Sequence, residues 1–211
     1  MADTTAQTAR LIVLTRYPRS GQVKTRLIGQ LGPWRAAELH RRMAEWTIQL
    51  AAEYCRTRPD TELQVACTGA SLTEMRDWLG CRIALVSQRG EGLGERMHNS
   101  LADALAGGFS PALVIGTDCP QLDEHVLERA SAALETADVV FGPAEDGGYY
   151  LVGLTRPVDI FSGITFGRND VLSASLDRCR SLDLKVACID RLADIDRPED
   201  LALLPEGFLP T

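Results

Sequence analysis

The sequence lacks the residue patterns of common zinc sites and disulfide frameworks. Its six cysteines form no C-x-x-C pair, and a chain of 211 residues does not need disulfides to hold its core together. Its histidines, His40, His98 and His125, lie far apart and form no H-x-x-x-H pair, which argues against a zinc site. We therefore expect reduced cysteines and histidines that lie on helix surfaces.

The sequence also lacks a net positive charge, and it contains no long apolar run. The formal net charge is −7, which argues against nucleic acid as a partner, because binding across a whole surface needs a basic face. The first apolar run, Leu11 to Leu14, is far too short for a signal-peptide core or a transmembrane helix. We expect a cytoplasmic protein with no membrane partner.

The chain alternates β-rich apolar runs with segments of helical period. This alternation predicts a single domain over residues 1–211, with a largely parallel sheet covered by helices. A central strand, buried on both faces, is predicted at Ala112 to Gly116. A helix is predicted to begin near Pro33, a good first-turn residue. Its apolar stripe, expected in the core, comprises Ala36, Leu39, Met43, Trp46, Leu50 and Tyr54.

A cluster of cations follows the first predicted strand, Leu11 to Thr15. The cations lie within eleven residues of an otherwise acidic chain, bracket Gly21, and are Arg16, Arg19, Lys24 and Arg26. Such a loop can hold a polyphosphate through charge-assisted hydrogen bonds, and ligands of open α/β sheets bind beyond the carboxyl ends of strands. It is not a Walker A loop, because no glycine directly precedes Lys24. A solvated charged turn is the alternative.

A carboxylate stands directly after the predicted central strand, at Asp118. A carboxylate fixed there can coordinate Mg²⁺ or Mn²⁺, since these ions use one or two protein carboxylates together with substrate phosphates. A turn or helix-capping aspartate is the alternative, because Asp is frequent at such positions. The residues around Asp118 do not decide between the two roles.

Two further acidic segments come later in the chain. Glu145 and Asp146 precede a Gly-Gly pair and can act as metal ligands or as a base toward an acceptor hydroxyl. Asp-Gly is also a strong hairpin signal, and both interpretations can hold. Asp196 can supply a second carboxylate to a metal at Asp118, whereas capping of a terminal helix is its alternative role.

A glycine-rich loop, Arg89 to Arg96, follows the third predicted strand. We reject NAD binding there, because the third glycine is misplaced and the dinucleotide fingerprint follows a first strand. With Gly94 and Arg96 the loop is predicted to lie against a base or ribose. A plain loop-to-helix turn is the alternative.

The order and spacing of these segments resemble the bacterial DUF2064 proteins, glycosyltransferase-like members of the nucleotide-diphospho-sugar transferase (GT-A) superfamily. The resemblance is carried by TRYP at 15–18, GQVKTRL at 21–27, GERM at 94–97, GTDCP at 116–120, GPAEDGGYY at 142–150 and DIDRPEDL at 194–201. The KTRL stretch is also similar to phospholactate guanylyltransferases, which transfer a nucleotidyl group. The resemblance implies an α/β fold, a three-layer α/β/α sandwich with a mostly parallel mixed sheet of the GT-A type.

The resemblance also implies roles for particular residues. Asp118 would bind Mg²⁺ or Mn²⁺ with Asp196 as the second carboxylate, while Lys24 and Arg26 would face phosphates. The usual Asp-x-Asp triplet of the superfamily is broken by Pro120. Metal binding then depends on a carboxylate that is distant in sequence.

The implied function is metal-dependent transfer of a sugar from a nucleotide-diphospho-sugar to a small-molecule acceptor. In this interpretation Arg16, Lys24 and Arg26 neutralise the leaving phosphate, and Asp146 or Glu145 orients or deprotonates the acceptor. A nucleotidyltransferase that uses a nucleoside triphosphate and releases pyrophosphate is the first alternative. A non-catalytic nucleotide-binding module is the second.

Overall fold

The computed structural model describes residues 8–210, which form a seven-stranded sheet with helices on both faces. The strands are β1 Ala9–Arg16, β2 Thr61–Thr68, β3 Ala84–Ser87, β4 Ala112–Ile115, β5 Val139–Pro143, β6 Tyr149–Leu154 and β7 Val186–Cys188. The helices are α1 Ile28–Arg56, α2 Leu72–Leu79, α3 Leu93–Ala106, α4 Glu124–Ala133 and α5 Val171–Ser181. Short 3-10 helices occupy Thr25–Leu27 and Pro198–Leu203.

The strands lie in the order β3-β2-β1-β4-β6-β5-β7. Strand β6 is antiparallel to β4 and β5, and the remaining pairs are parallel. The chain adds β2 and β3 on one side of β1 and then returns to place β4 on the other side. Crevices that bind ligands open at such a reversal, at the carboxyl ends of the strands.

Two cores lie on opposite faces of the sheet, because successive side chains of a strand point to opposite faces. Leu11 and Val13 of β1 pack with side chains of α1, α2 and α4, whereas Ile12 and Leu14 pack with α3 and α5. Strand β4 is buried along its whole length, which confirms the predicted central strand. Fully burying such a side chain contributes roughly 1.5–3 kcal/mol.

Helix α1 confirms one prediction and corrects another. Gly32 interrupts it with φ 78° and ψ 160°, and Pro33 follows as the first residue of the regular helix. The core position predicted for Trp46 is wrong, because Trp46 is 47% exposed; its ring packs edge-on against the ring of Phe208, with ring centroids 5.7 Å apart. The buried face of the helix passes through the neighbouring Thr47 instead.

Within residues 8–210, no helix combines the length and the apolar composition that crossing a membrane requires.

Candidate active site

A cavity of about 360 Å³ opens at the carboxyl ends of β1 and β4. Its walls also include the start of β6, the first turn of α3, the loop around Phe166 and the late residue Asp194. Ligand pockets of proteins have volumes of roughly 300–1,000 Å³. The cavity therefore lies at the topological reversal of the sheet and has room for a small molecule.

Asp118 lies at the floor of this cavity and forms an ion pair with Lys24, with 2.6 Å between Nζ and Oδ1. The Lys24 side chain is only 4% exposed, whereas that of Asp118 is 52% exposed toward the cavity. The ammonium of Lys24 also donates to the main-chain oxygen of Ile195. Desolvation opposes ionisation of Asp118, but the charges of Lys24 and His40 outweigh it and hold the pKa of Asp118 below its usual value.

Lys24 reaches Asp118 from an uncommon backbone conformation. Its φ of 46° and ψ of 43° are left-handed, a conformation that costs a residue with a Cβ roughly 1–2 kcal/mol. The short helix Thr25–Leu27 follows at once and buries Leu27 in a cluster with Ile195. Lys24 was expected to face phosphates, but in the structure its ammonium contacts Asp118 and Ile195, and Lys24 is not part of the cavity wall.

Three carboxylates from distant segments line the cavity, those of Asp118, Asp146 and Asp194. Asp194 reaches the cavity because Leu192 pairs with the backbone at the end of β5, where its N–H donates to the main-chain oxygen of Pro143 and its oxygen accepts from the N–H of Glu145. The main-chain N–H of Ile195 then donates to the main-chain oxygen of Asp118, at 2.9 Å. Burial and the charges of Asp146 and Asp118 raise the pKa of Asp194 to about 6. The raised pKa of Asp194 reflects its burial first and then the negative charges that share the cavity.

Asp196, the second carboxylate expected beside Asp118, lies elsewhere. Its carboxylate forms an ion pair with Arg26, and its main-chain N–H donates to Asp200 at 3.0 Å. Neither Asp196 nor Arg26 belongs to the cavity wall. The structure therefore does not bring Asp196 to Asp118, and Asp194, two residues earlier, lines the cavity in its place.

Of the site residues predicted in two turns, one lines the cavity and two lie outside it. Asp146 lines the cavity, and its Oδ1 accepts a hydrogen bond of 2.8 Å from the main-chain N–H of Gly148. Glu145 is exposed and outside the cavity wall. Gly21 is exposed too, and its φ of 78° allows the chain to turn in the cation-rich loop after β1.

Three arginines line the cavity, Arg16, Arg96 and Arg168. Arg16 forms no ion pair within the described residues, so its guanidinium is available to a ligand. Arg96 donates to the main-chain oxygen of Gly90 at 3.0 Å, and Arg168 pairs with Asp170 at 3.1 Å. Arg168 was not among the residues predicted from the sequence, because an arginine in an exposed loop carries no local signal of its own.

His40 belongs to the cavity wall, and its expected position on a helix surface is wrong. It is buried, and its Nε2 donates to the main-chain oxygen of Arg16 at 2.9 Å. Burial lowers the pKa of His40, although the charge of Asp118 opposes this effect. His40 directly follows the buried Leu39 on α1, so helical periodicity did contain a signal for its position.

Two glycines near the cavity make contacts that no side chain would permit. A Cβ on Gly94 would lie 2.2 Å from the ring of Phe166. A Cβ on Gly147 would lie 2.0 Å from the main-chain oxygen of Asn169, at a position where φ is +90°. Gly94, expected against a nucleotide, thus lets Phe166 close one wall of the cavity.

The fold and the cavity define a protein of the nucleotide-diphospho-sugar transferase-like class, which confirms the expected GT-A-like α/β sandwich. The chain belongs to the DUF2064 family, described as an uncharacterized protein conserved in bacteria, whose sequence profile matches residues 50–168. It is similar to a provisionally assigned nucleotide-diphospho-sugar transferase from Desulfovibrio desulfuricans G20. That match has 30% identity and a TM-score of 0.82 and covers 90% of this chain and 82% of the other.

A second relative is a 2-phospho-L-lactate guanylyltransferase from Methanopyrus kandleri, 36% identical over 94 residues. The match covers 42% of this chain and 46% of the relative, so it spans less than half of that protein. A 4-diphosphocytidyl-2C-methyl-D-erythritol synthase from Anaerococcus prevotii shares the fold, at 14% identity and a TM-score of 0.58 over 93% and 94% of the chains. A glucosyl-3-phosphoglycerate synthase from Mycobacterium tuberculosis, bound to Mn²⁺ and UDP, shares it at 15% identity and 0.54 over 94% and 76%.

Proposed function

We propose that this protein is a metal-dependent transferase that moves a sugar from a nucleotide-diphospho-sugar to a small-molecule acceptor. The observation that carries the proposal is one cavity lined by three carboxylates and three arginines. Carboxylates hold divalent cations, and guanidinium groups bind phosphate oxygens in pairs of hydrogen bonds. A diphosphate with its cation matches this combination.

The carboxylates suit a cation that is coordinated partly by the protein and partly by the phosphate oxygens of the substrate. Within residues 8–210, no group of three His, Cys, Asp or Glu side chains is arranged to hold a metal ion by itself. Mg²⁺ commonly takes one or two protein carboxylates and completes its shell with phosphate oxygens and waters. Asp118 and Asp194 would supply the carboxylates, for Mg²⁺ or Mn²⁺. The bound cation would offset negative charge on the leaving diphosphate.

The residues of the chain provide binding, positioning and proton transfer. Lys24 keeps Asp118 ionised and fixed at the strand end, and Arg16 and Arg96 bind phosphate oxygens. The bond between the anomeric carbon and the diphosphate oxygen breaks, and the acceptor oxygen forms a new bond to that carbon. Asp146 takes the proton of the acceptor hydroxyl.

Nucleotidyl transfer is a second candidate function. It is favoured by the similarity to the guanylyltransferase and by the three arginines, which suit the higher charge of a triphosphate. In that reaction an acceptor oxygen bonds to the α-phosphorus of a nucleoside triphosphate, and pyrophosphate leaves.

The released product separates these functions. The purified protein is incubated with nucleotide-sugars or nucleoside triphosphates, a panel of small acceptors and Mg²⁺ or Mn²⁺, with Asp118→Ala as the inactive control. Release of nucleoside diphosphate supports sugar transfer, whereas release of pyrophosphate establishes nucleotidyl transfer instead. Nucleotide binding that is indifferent to the metal, together with no turnover, would identify a non-catalytic module, and thermal-shift measurements with and without Mg²⁺ detect it.

A further inference from the structure

Gln88 stands directly after β3, and its side-chain amide lies across the ends of two neighbouring strands. Its Nε2 donates to the main-chain oxygen of Thr15 at 3.0 Å and to that of Ala66 at 2.8 Å. Its main-chain N–H donates to the oxygen of Cys67 at 2.9 Å. Three hydrogen bonds therefore hold Gln88 against β1 and β2.

The hydrogen-bond partners of Gln88 allow only one orientation of its side-chain amide. Both partners of its nitrogen are carbonyl oxygens, which accept hydrogen bonds and cannot donate them. Turning the amide over would set its oxygen against these oxygens, so Oε1 is the atom left over. In the part of the chain that the structure describes, no donor bonds this Oε1, and Gln88 lines the cavity. The wall therefore presents a fixed hydrogen-bond acceptor.

An apolar surface accompanies this acceptor. Leu93 and Met97 lie one turn apart on α3 and line the same cavity. Leu93 is 52% exposed despite its size, so the core does not account for its position. The loop between Gln88 and α3 is held in place by Asn99, whose Nδ2 donates to the main-chain oxygen of Arg89 at 2.8 Å. Apolar walls with a few fixed polar groups are typical of ligand pockets.

This end of the cavity lies away from the carboxylates. Strands β2 and β1 separate β3 from β4, so the ends of β3 and β4 lie roughly 14 Å apart, because neighbouring strands are about 4.8 Å apart. The Gln88 side chain reaches back from the end of β3 to the end of β1, between the two. A nucleotide with its phosphates near Asp118 and Arg16 would bring its base to the Gln88 end.

On the basis of the function proposed above, we infer that the donor's nucleobase lies against Leu93 and that Oε1 of Gln88 selects the base. The selected bases carry a hydrogen on the ring nitrogen of their pairing edge, as guanine does at N1 and uracil at N3. Adenine and cytosine have an acceptor at the equivalent nitrogen, so in the position that guanine or uracil takes, this nitrogen would face the Gln88 acceptor and leave both unpaired. Guanine and uracil nucleotides therefore bind about tenfold or more tightly than adenine and cytosine nucleotides.

Calorimetric titration with Mg²⁺ present tests the inference on the unaltered protein. The ligands are the four common nucleoside triphosphates and two analogues, GTP methylated at N1 and UTP methylated at N3. Methylation of the nucleotide that binds best is expected to weaken binding about tenfold or more, because it removes the selected hydrogen. Gln88→Leu is expected to abolish the difference, and Gln49→Leu, an exposed glutamine of α1 outside this cavity, is expected to keep it.

Each outcome has a separate meaning. Equal binding of all four bases, equal binding of the parent and methylated nucleotides, or a preference that survives Gln88→Leu would overturn the inference and leave the proposed function standing. Failure of every nucleotide to bind in this titration, together with no turnover of any nucleotide-sugar or nucleoside triphosphate in the product assay above, would overturn both. Circular dichroism and urea unfolding show whether Gln88→Leu is folded. The methylated analogues test base selection on the unaltered protein, so the inference does not depend on this variant.

Discussion

The ammonium of Lys24 lies 2.6 Å from Oδ1 of Asp118, so the loop after β1 holds the carboxylate at the end of β4. The same ammonium bonds the main-chain oxygen of Ile195, whose N–H donates to the main-chain oxygen of Asp118. The segments that contain Lys24, Asp118 and Ile195 are far apart in sequence, and they meet at the buried ammonium of Lys24. Lys24 is therefore a positioning residue for the carboxylates of the cavity.

Replacing Lys24 should destabilise the protein. Lys24→Met leaves the oxygen of Ile195 unpaired and removes the ion pair, so we expect a loss of about 1–3 kcal/mol in the free energy of unfolding. Urea denaturation measures it. Lys185→Met is the matched control, since Lys185 is exposed and surface changes typically stay within about 0.5 kcal/mol. Equal stabilities of the two variants would contradict the buried role of Lys24.

Asp194 and Asp196 should differ in their effect on metal binding. Asp194→Asn removes a carboxylate of the cavity, so we expect Mn²⁺ affinity, measured by electron paramagnetic resonance, to fall about tenfold or more. Asp196→Asn removes only the ion pair with Arg26 and should leave that affinity nearly unchanged. The opposite order would restore Asp196 as the second metal ligand.

Arg16 and Arg26 belong to the same cluster of cations after β1, but they should affect nucleotide binding differently. Arg16→Met removes a guanidinium that lines the cavity, and we expect about tenfold weaker nucleotide binding or more, because charge-assisted hydrogen bonds contribute about 1.5–3 kcal/mol. Arg26→Met should change it little, since Arg26 is paired with Asp196 outside the cavity. Calorimetry with the same nucleotide compares the two variants. A larger effect at Arg26 would mean that the phosphates lie against Arg26, outside the cavity.

Gly147 should tolerate alanine less well than another glycine of the same backbone conformation. Both Gly147 and Gly163 have positive φ, but a Cβ at Gly163 meets no atom within 4 Å. Gly163→Ala should cost about 1–2 kcal/mol from its conformation alone. Gly147→Ala should cost roughly 1–3 kcal/mol more because of the clash with Asn169. Thermal unfolding of the pair measures the difference, and similar midpoints would show that the 144–148 turn yields easily.

Local patterns determined most of the fold. Strand β4 occupies all but the last of the predicted residues 112–116, and the regular part of α1 begins at the predicted Pro33. Both are specified by apolar pattern together with nearby capping or turn residues, which act within a few positions of the chain. Asp118 could also be placed from sequence, since the continuous apolar run before it indicates a buried strand that ends there.

Contacts between distant segments decided the composition of the site. Asp194 and Asp196 are two residues apart in an acidic stretch, and nothing local distinguishes them. The pairing of Leu192 with the end of β5, together with the hydrogen bond from Ile195 to Asp118 and the burial of Ile195, places Asp194 in the cavity and leaves Asp196 to Arg26. The inward direction of Lys24 depends equally on a partner almost a hundred residues away. The sequence by itself determined where the strands end, whereas only tertiary packing decided which charges meet there, because charge pairing carries no periodic signal along the chain.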